Sequence, residues 1–373
     1  MLSSEAVIDL PAIAGNVEVC KAHTAAEVMA VVKADGYGHG LVPAARAAAA
    51  GGAGWVGVAT LDEALALRQA GLDQPILAWL WTPVETESLR AAVATGIDVS
   101  VSSRTQLELV AATATELGQS ARIHLKIDTG LSRNGVTAAD WPDMLAAAAR
   151  AASSGVLQNY GIWSHFVYAD SPGHPTIGRQ IERFGDALAQ AERAGVVPVV
   201  RHLANSAATL TLPSAHFDLV RPGVACYGLS PVPDRGDFGL TPAMTLRSRL
   251  ANVKRVPAGE GVSYGHQYVL TADSTLGLVP LGYADGVPRA ATNAGPVSIN
   301  GRRYRISGRV CMDQFVVDLG DDSAAEGDPV VLFGPGTQGE PTAQDWADVL
   351  DTIHYEVVTR IGSRVPRSYL GLQ

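Results

Sequence analysis

Cysteine is scarce in this chain of 373 residues: Cys20, Cys226 and Cys311 are odd in number and far apart. Such usage excludes a disulfide framework, gives no metal site, and points to a reducing compartment. Basic residues are also in deficit, with 28 Lys and Arg against 37 Asp and Glu, a formal net charge of −9. Nucleic acid and anionic membrane are therefore poor partners. No apolar run is long enough to span a bilayer, since the Ala/Gly tract at 44–54 is short and weakly hydrophobic. The first fifteen residues carry no basic segment followed by an apolar run, so no secretory signal is expected. There are no internal repeats, and the alanine-rich stretches signify only good helix formers. These absences leave a cytoplasmic enzyme or binding protein. Its length exceeds that at which a single core usually divides, so two domains are expected.

What is present centres on Val28-Met29-Ala30-Val31-Val32-Lys33, followed by Ala34-Asp35-Gly36-Tyr37-Gly38-His39-Gly40. The valine-rich run reads as a buried parallel strand. It ends in a lysine, whose ammonium is costly to bury. Either the side chain reaches out to water there, or its amine serves as a Schiff-base nucleophile at the strand end.

Downstream, strands and helices alternate. Strands are expected at Trp55–Thr60, Pro75–Leu80, Ile97–Val101, Ile123–Ile127, Leu157–Phe166, Val199–Ala204 and Phe217–Arg221. Helices are expected at 11–23, Pro43–Gly51, Leu61–Ala70, Val84–Ala94, Arg104–Leu117, Ala138–Ala152, Ile177–Ala194 and Ser206–Leu212. About eight strand–helix repeats over about 230 residues is the size of a (β/α)8 TIM-type barrel. A doubly wound dinucleotide fold is disfavoured, because Leu41 stands where the third glycine of its fingerprint belongs. Near Pro231–Gly236 the texture shifts to short alternating segments. Strands are expected at Leu246–Val253, Thr275–Leu281, Phe315–Leu319 and Val330–Phe333, a tight hairpin at Asn300-Gly301, and a helix over Asp345–Leu350 capped by Thr342. The expected organisation is thus an α/β barrel over 1–235 and a mostly β C-terminal domain over 236–373.

In a barrel, residues just past the strand ends share one cavity. Those positions hold Lys33 and Tyr37, then Lys126, Asp128 and Arg133, then His165, Asn205, Ser206, Arg221 and Gly223. Taken singly, each has an ordinary explanation: a satisfied core histidine, a solvated loop charge, an ion pair, a turn glycine. Their joint occurrence at strand ends is what packing does not explain. Barrels bind phosphate after their last strands, where Ser206, Gly223 and Val224 offer a cradle. A Schiff-base lysine facing such a cradle suggests pyridoxal phosphate.

The segment AVVKADGYGHG resembles the cofactor-lysine signature of the alanine racemases. The resemblance continues through AVIDLPAI, HLKIDTGLSRNG, WSHF, LANS, DLVRPGVACYG, GVSYG, LGYADG, GRVCMDQ and IHYEVVTRIGSRVPR, in order and in both domains. It implies a homodimer in which each active site is completed by the partner's second domain. Lys33 would be the Schiff-base lysine and one catalytic base, and Tyr264 the opposing base from the other subunit. Arg221 would partner the pyridine nitrogen, with Tyr37, Ser206, Gly223, Val224 and Tyr355 on the phosphate side. Arg133 and Met312 would bind the substrate carboxylate, Tyr283 and Asp313 would line the partner-side entrance, and His165 would link Tyr264 to Arg221. Lys126 matches a lysine that is carbamylated in some members and braces Arg133. Leu131 departs from the methionine of many members, a volume-conserving change.

The resemblance implies interconversion of L- and D-alanine by two bases on opposite faces of Cα, supplying D-alanine for peptidoglycan or serving alanine catabolism. Arg221, a permanently charged guanidinium, donates to the pyridine nitrogen without protonating it, which limits transamination. Three other readings stand beside it. A decarboxylase of the same architecture is disfavoured by Arg221 and Cys311-Met312-Asp313. A non-catalytic pyridoxal phosphate-binding protein would need only the barrel. A broad-specificity amino-acid racemase differs in pocket shape.

Overall fold

A computed structural model describes residues 3–371. It contains two compact units. One comprises Ile13–Gly36 and Leu41–Leu240; the other comprises the residues before Ile13, Tyr37–Gly40, and those from Thr241 onward.

The first unit is the barrel. Its strands are β2 (Glu27–Val31), β3 (Trp55–Val58), β4 (Ile76–Ala78), β5 (Asp98–Val101), β6 (Ala121–Lys126), β7 (Leu157–Trp163), β8 (Val200–His202) and β9 (Leu219–Val220). They form one parallel eight-stranded sheet in the order β8-β7-β6-β5-β4-β3-β2-β9. An isolated parallel bridge, Asn205 to Arg221, joins its two ends, with the Arg221 amide donating to the Ala204 carbonyl at 2.9 Å. Helices alternate with the strands, and their local signals are clear. Thr60 and Glu63 form a reciprocal capping box on Leu61–Gln69, and Ser103 caps Arg104–Leu117. Trp141–Ser153 begins three residues later than the expected Ala138, with Pro142 in its first turn.

The barrel interior is aromatic and polar as well as aliphatic. Met29, Trp55, Leu77 and Leu219 pack together with Trp79 and Tyr160. Among them lie buried Asp98, Ser100, His124 and His202. The His124 ring needs room, and β7 supplies it at Gly161, its register partner, where the β6–β7 ladder shifts by a bulge. A Cβ on residue 161 would overlap the His124 imidazole. Gly161→Ala is therefore expected to destabilise the protein by about 1–3 kcal/mol through overpacking, read as a lower urea midpoint at unchanged slope.

The second unit is mostly β. Strand β1 (Ser4–Asp9) pairs antiparallel with β10 (Met244–Arg249) and parallel with Arg367–Leu370, in a six-stranded sheet. This pairing, not foreseen from sequence, takes the first residues out of the 1–235 segment assigned to the barrel. The dividing point after Leu240 lies five residues beyond the expected 235. The single strand expected over Leu246–Val253 is two. Met244–Arg249 serves the six-stranded sheet and Asn252–Val256 a three-stranded one, the chain breaking at Leu250-Ala251. The hairpin at Asn300-Gly301 forms with both turn residues left-handed (φ 51° and 79°), the backbone a two-residue turn requires. Thr342 caps Ala343–Leu350 as expected.

Candidate active site

The strand carrying Lys33 does not run into an ordinary helix. Ala34, Asp35, Gly36 and Tyr37 all have φ between 53° and 61°, a full turn of left-handed backbone. Left-handed helix costs an L-residue roughly 1–2 kcal/mol, so three non-glycine residues need compensation. They receive it from hydrogen bonds. The Ala34 amide donates to Glu63 Oε1 at 2.6 Å, the Gly36 amide to the Val32 carbonyl at 2.8 Å, and the Leu41 amide to Asp35 Oδ1 at 2.8 Å. Glu63 Oε2 also takes the amides of Ala59 and Thr60, so one carboxylate ties the lysine turn to the end of β3. Glycine accepts this backbone freely. Ala34→Gly is expected to stabilise the protein by about 0.5–1 kcal/mol in urea titration, and a loss of stability would show that the turn is not strained.

Lys33 is half-buried, and its pKa is lowered, first by desolvation and then by the Arg133 charge, with Glu63 opposing. Lys126, at the end of β6, is 4% exposed, its Nζ 4.2 Å from the centroid of the Trp163 ring. Burial, then Arg221 and Arg133, brings its pKa down to about 7. Arg133 is presented by a loop folded on Asp128, whose Oδ1 accepts the amides of Gly130, Leu131 and Ser132 at 2.8, 3.0 and 3.2 Å. Lys126 and Arg133 repel as cations, so the bracing implied by resemblance requires Lys126 to lose its charge.

Arg221 is buried and closes the ring of strands. Its Nη2 donates to the carbonyls of Ser164 and Leu203 at 2.9 and 3.2 Å and contacts His165 Nδ1 at 3.3 Å; its Nη1 contacts His202 Nδ1 at 3.2 Å. Guanidinium nitrogens only donate, so both imidazoles accept at Nδ1. Burial draws the Arg221 pKa to about 9, which leaves it charged at neutral pH. His165 is held well below its usual range, by burial and then by Arg221, Arg133, Lys126 and Lys33. Beside Arg221, Asn205 accepts the Ala208 amide, and Ser206 Oγ accepts those of Gly223 and Ala225 at 2.7 and 3.4 Å. Val224 opens the short turn Val224–Tyr227 there.

The remaining expected residues lie in the second unit. The amides of Tyr283 and Ala284 donate to the carbonyls of Cys311 and Met312, both at 3.0 Å, and Ser263 Oγ donates to the Arg309 carbonyl at 2.8 Å. These bonds bring the loops of Tyr264, Tyr283, Met312 and Asp313 together. Arg364 bridges Asp313 and Asp285 at 2.8 and 3.2 Å. Tyr264, Met312 and Tyr283 are 71%, 53% and 44% exposed. Tyr37 and Tyr355 pack with ring centroids 6.3 Å apart. Reading the sequence missed Glu63 and His202. Glu63 is identifiable only as a capping acid, and His202 lies inside a strand rather than past its end.

Two family descriptions match the chain, "Alanine racemase, N-terminal domain" over residues 8–231 and "Alanine racemase, C-terminal domain" over 243–369. A protein named alanine racemase from Salinispora arenicola is 60% identical over 372 residues, covering 100% of this chain and 99% of that protein. Another from Thermobifida fusca is 58% identical over 369 residues, covering 99% of this chain and 98% of its own length. The crystal structure of alanine racemase from D-cycloserine-producing Streptomyces lavendulae superposes with a TM-score of 0.98 at 55% identity, covering 100% of this chain and 98% of that one. With both domains matched and relatives this similar from end to end, the chain belongs to the alanine racemase family.

Proposed function

We propose that the protein interconverts L- and D-alanine with pyridoxal phosphate as cofactor, and that Lys33 and Tyr264 handle the proton on opposite faces of Cα. The observation carrying this reading is the cationic end of the barrel. Lys33, Lys126, Arg133 and Arg221 act on one another's charge, with Asp128 and Glu63 as the carboxylates that oppose them. Such an excess suits a ligand bearing both a phosphate and a carboxylate. The donor set fits the cofactor: a lysine of lowered pKa to meet its carbonyl, Arg221 for its ring nitrogen, and Ser206 with the Gly223 and Val224 backbone for its phosphate, joined by Tyr37, Asn205 and Tyr355. When bound, pyridoxal phosphate supplies a carbonyl that condenses with the substrate amine and a conjugated ring that acidifies Cα–H.

The chain's residues do the rest. Lys33, depressed toward its neutral form, removes or returns the proton on one face. Arg133 and the Met312 loop would hold the substrate carboxylate and so fix which bond of Cα is presented to the bases. His165 accepts from Arg221 and stays uncharged, so it adds no competing cation. Tyr264 serves the other face. Its exposure, with that of Met312 and Tyr283, supports a homodimer in which this surface, lined also by Asp313, completes the barrel end of a second copy. Within this reading the enzyme is cytoplasmic and its D-alanine feeds peptidoglycan; the three free cysteines agree with a reducing compartment.

A neutral Lys126 amine can add CO2, forming a carbamate with release of one proton, and the product is an anion able to brace Arg133. Intact-mass analysis from bicarbonate buffer is expected to show one added CO2, lost on acidification and absent in Lys126→Met. An unmodified mass in bicarbonate would remove this step.

Purified protein should be assayed by chiral chromatography with each L-amino acid while its absorbance spectrum is recorded. Racemisation of alanine with a bound-cofactor band is the expected result. A cofactor band without turnover would mark a binding protein, and equal turnover of larger amino acids a broad-specificity racemase.

A further inference from the structure

A line of four buried side chains runs through the barrel interior beneath the site. Arg221 Nη1 lies 3.2 Å from His202 Nδ1, His202 Nε2 lies 2.9 Å from His124 Nδ1, and His124 Nε2 lies 3.1 Å from Asp98 Oδ2. His124, His202 and Asp98 are completely buried. Beyond them, Asp98 Oδ1 accepts from Arg122 Nε at 2.6 Å and pairs with its Nη2 at 2.5 Å. This arrangement has a direction. Arg221 cannot accept, so His202 must accept at Nδ1 and carry its proton on Nε2. That proton is donated to His124 Nδ1, which puts the His124 proton on Nε2, facing the Asp98 carboxylate. Each link is satisfied only if both imidazoles are neutral and in the same tautomer.

We propose that Asp98, His124 and His202 are positioning residues, a one-way hydrogen-bonded line whose carboxylate end fixes both histidine tautomers so that an acceptor nitrogen always faces the Arg221 guanidinium. This deepens the reading of Arg221 as partner of the cofactor ring nitrogen and rests on it. Two further observations support the line as a built feature. Gly161 and the β6–β7 bulge make room for the His124 ring. The His202 ring lies parallel to Trp163 (interplanar angle 6°, centroids 5.5 Å apart), and the same indole faces Arg221 at 4.8 Å. Burial, followed by the Arg221 charge, also holds His202 well below its usual pKa, in keeping with a neutral ring.

The Asp98→Asn variant tests the direction. Arg122 demands an oxygen, so the carbonyl of the substituted side chain turns to it and the new amide nitrogen faces His124. His124 then accepts at Nε2 and donates from Nδ1, His202 does likewise, and an N–H opposes Arg221. In the holoenzyme labelled with 15N-histidine, NMR is expected to find His124 and His202 both protonated on Nε2 in the wild type and both on Nδ1 in Asp98→Asn. The variant's kcat is expected to fall about 10–100-fold, the range for residues that orient a liganding group, at unchanged KM for alanine. Adding Arg122→Met frees the introduced carbonyl to face His124, and is expected to restore both tautomers and kcat, whereas a merely structural loss would deepen.

A wild-type ring protonated on Nδ1 or on both nitrogens overturns the proposal, and that measurement stands even if Asp98→Asn does not fold. A kcat loss without a tautomer change, or one the second substitution does not rescue, also overturns it. The spectrum decides irrespective of turnover. A protein with the expected tautomers but no alanine racemisation would instead refute the proposed function.

Discussion

Tyr264→Phe is expected to lower racemisation by about 10²–10⁴-fold in the direction where the phenol takes the proton, the range for a lost acid–base group. Cofactor binding should survive. Tyr264 is 71% exposed and sits on the short turn Tyr264–His266 of the second unit. The absorbance of the bound cofactor should therefore be unchanged, and Lys33 should still exchange the Cα proton on its own face. Deuterium washed into one enantiomer of alanine without conversion to the other would be the signature. An unchanged rate in both directions would take Tyr264 out of the chemistry and leave the second face without a base.

The other large effect is expected at Arg221. A guanidinium donates to a ring nitrogen but cannot give up its proton at neutral pH, because even after burial its pKa remains about 9. With Arg221 at the cofactor's ring nitrogen as proposed, that ring would withdraw electrons weakly, and the proton would return to Cα rather than elsewhere. In Arg221→Glu, a carboxyl group at that place favours a protonated ring nitrogen and stronger delocalisation. Racemisation is expected to fall by about 10²-fold or more, as when an electrostatic partner is removed, while pyruvate formed per racemisation event rises. A constant ratio of the two products would contradict this role. The substitution also strips the donors from the Ser164 and Leu203 carbonyls and from His202, so cofactor content should be measured alongside.

Much of the barrel and its cationic end was legible because the signals are local. Continuous apolar runs, helix stop and start residues, and charged groups just past strand ends report their own surroundings. Lys33, Lys126 and Arg221 stood out since a charge ending a buried run is costly unless it has a task, and Arg133 because it follows so closely on one of them. The features that escaped depend on distant partners. Strand β1 finds its pairing about 240 residues away, so nothing near Ser4–Asp9 announces it. Asp98, His124 and His202 sit within strands, where a polar residue reads as an isolated exception until its neighbours across the barrel are known. Ala34 and Asp35 adopt left-handed backbone that their own preferences oppose, and the carboxylate of Glu63, 29 residues on from Ala34, helps to hold it. Tyr264, Tyr283 and Met312 were reached by likeness alone, since a solvent-facing tyrosine carries no physical signal in sequence.

The seam of the barrel has a consequence for how the protein keeps its cofactor. Between β8 and β9 the ring is fastened by the Asn205–Arg221 bridge, and the flanking Ser206 and Gly223, themselves hydrogen-bonded, are residues of the proposed phosphate cradle. A molecule gripping the cradle and Arg221 together acts as a clasp across that joint. With the cofactor held there as proposed, loosening of the joint and its escape would be a single event. Saturating cofactor should seal this edge more than any other part of the chain, its contribution growing with the logarithm of free concentration.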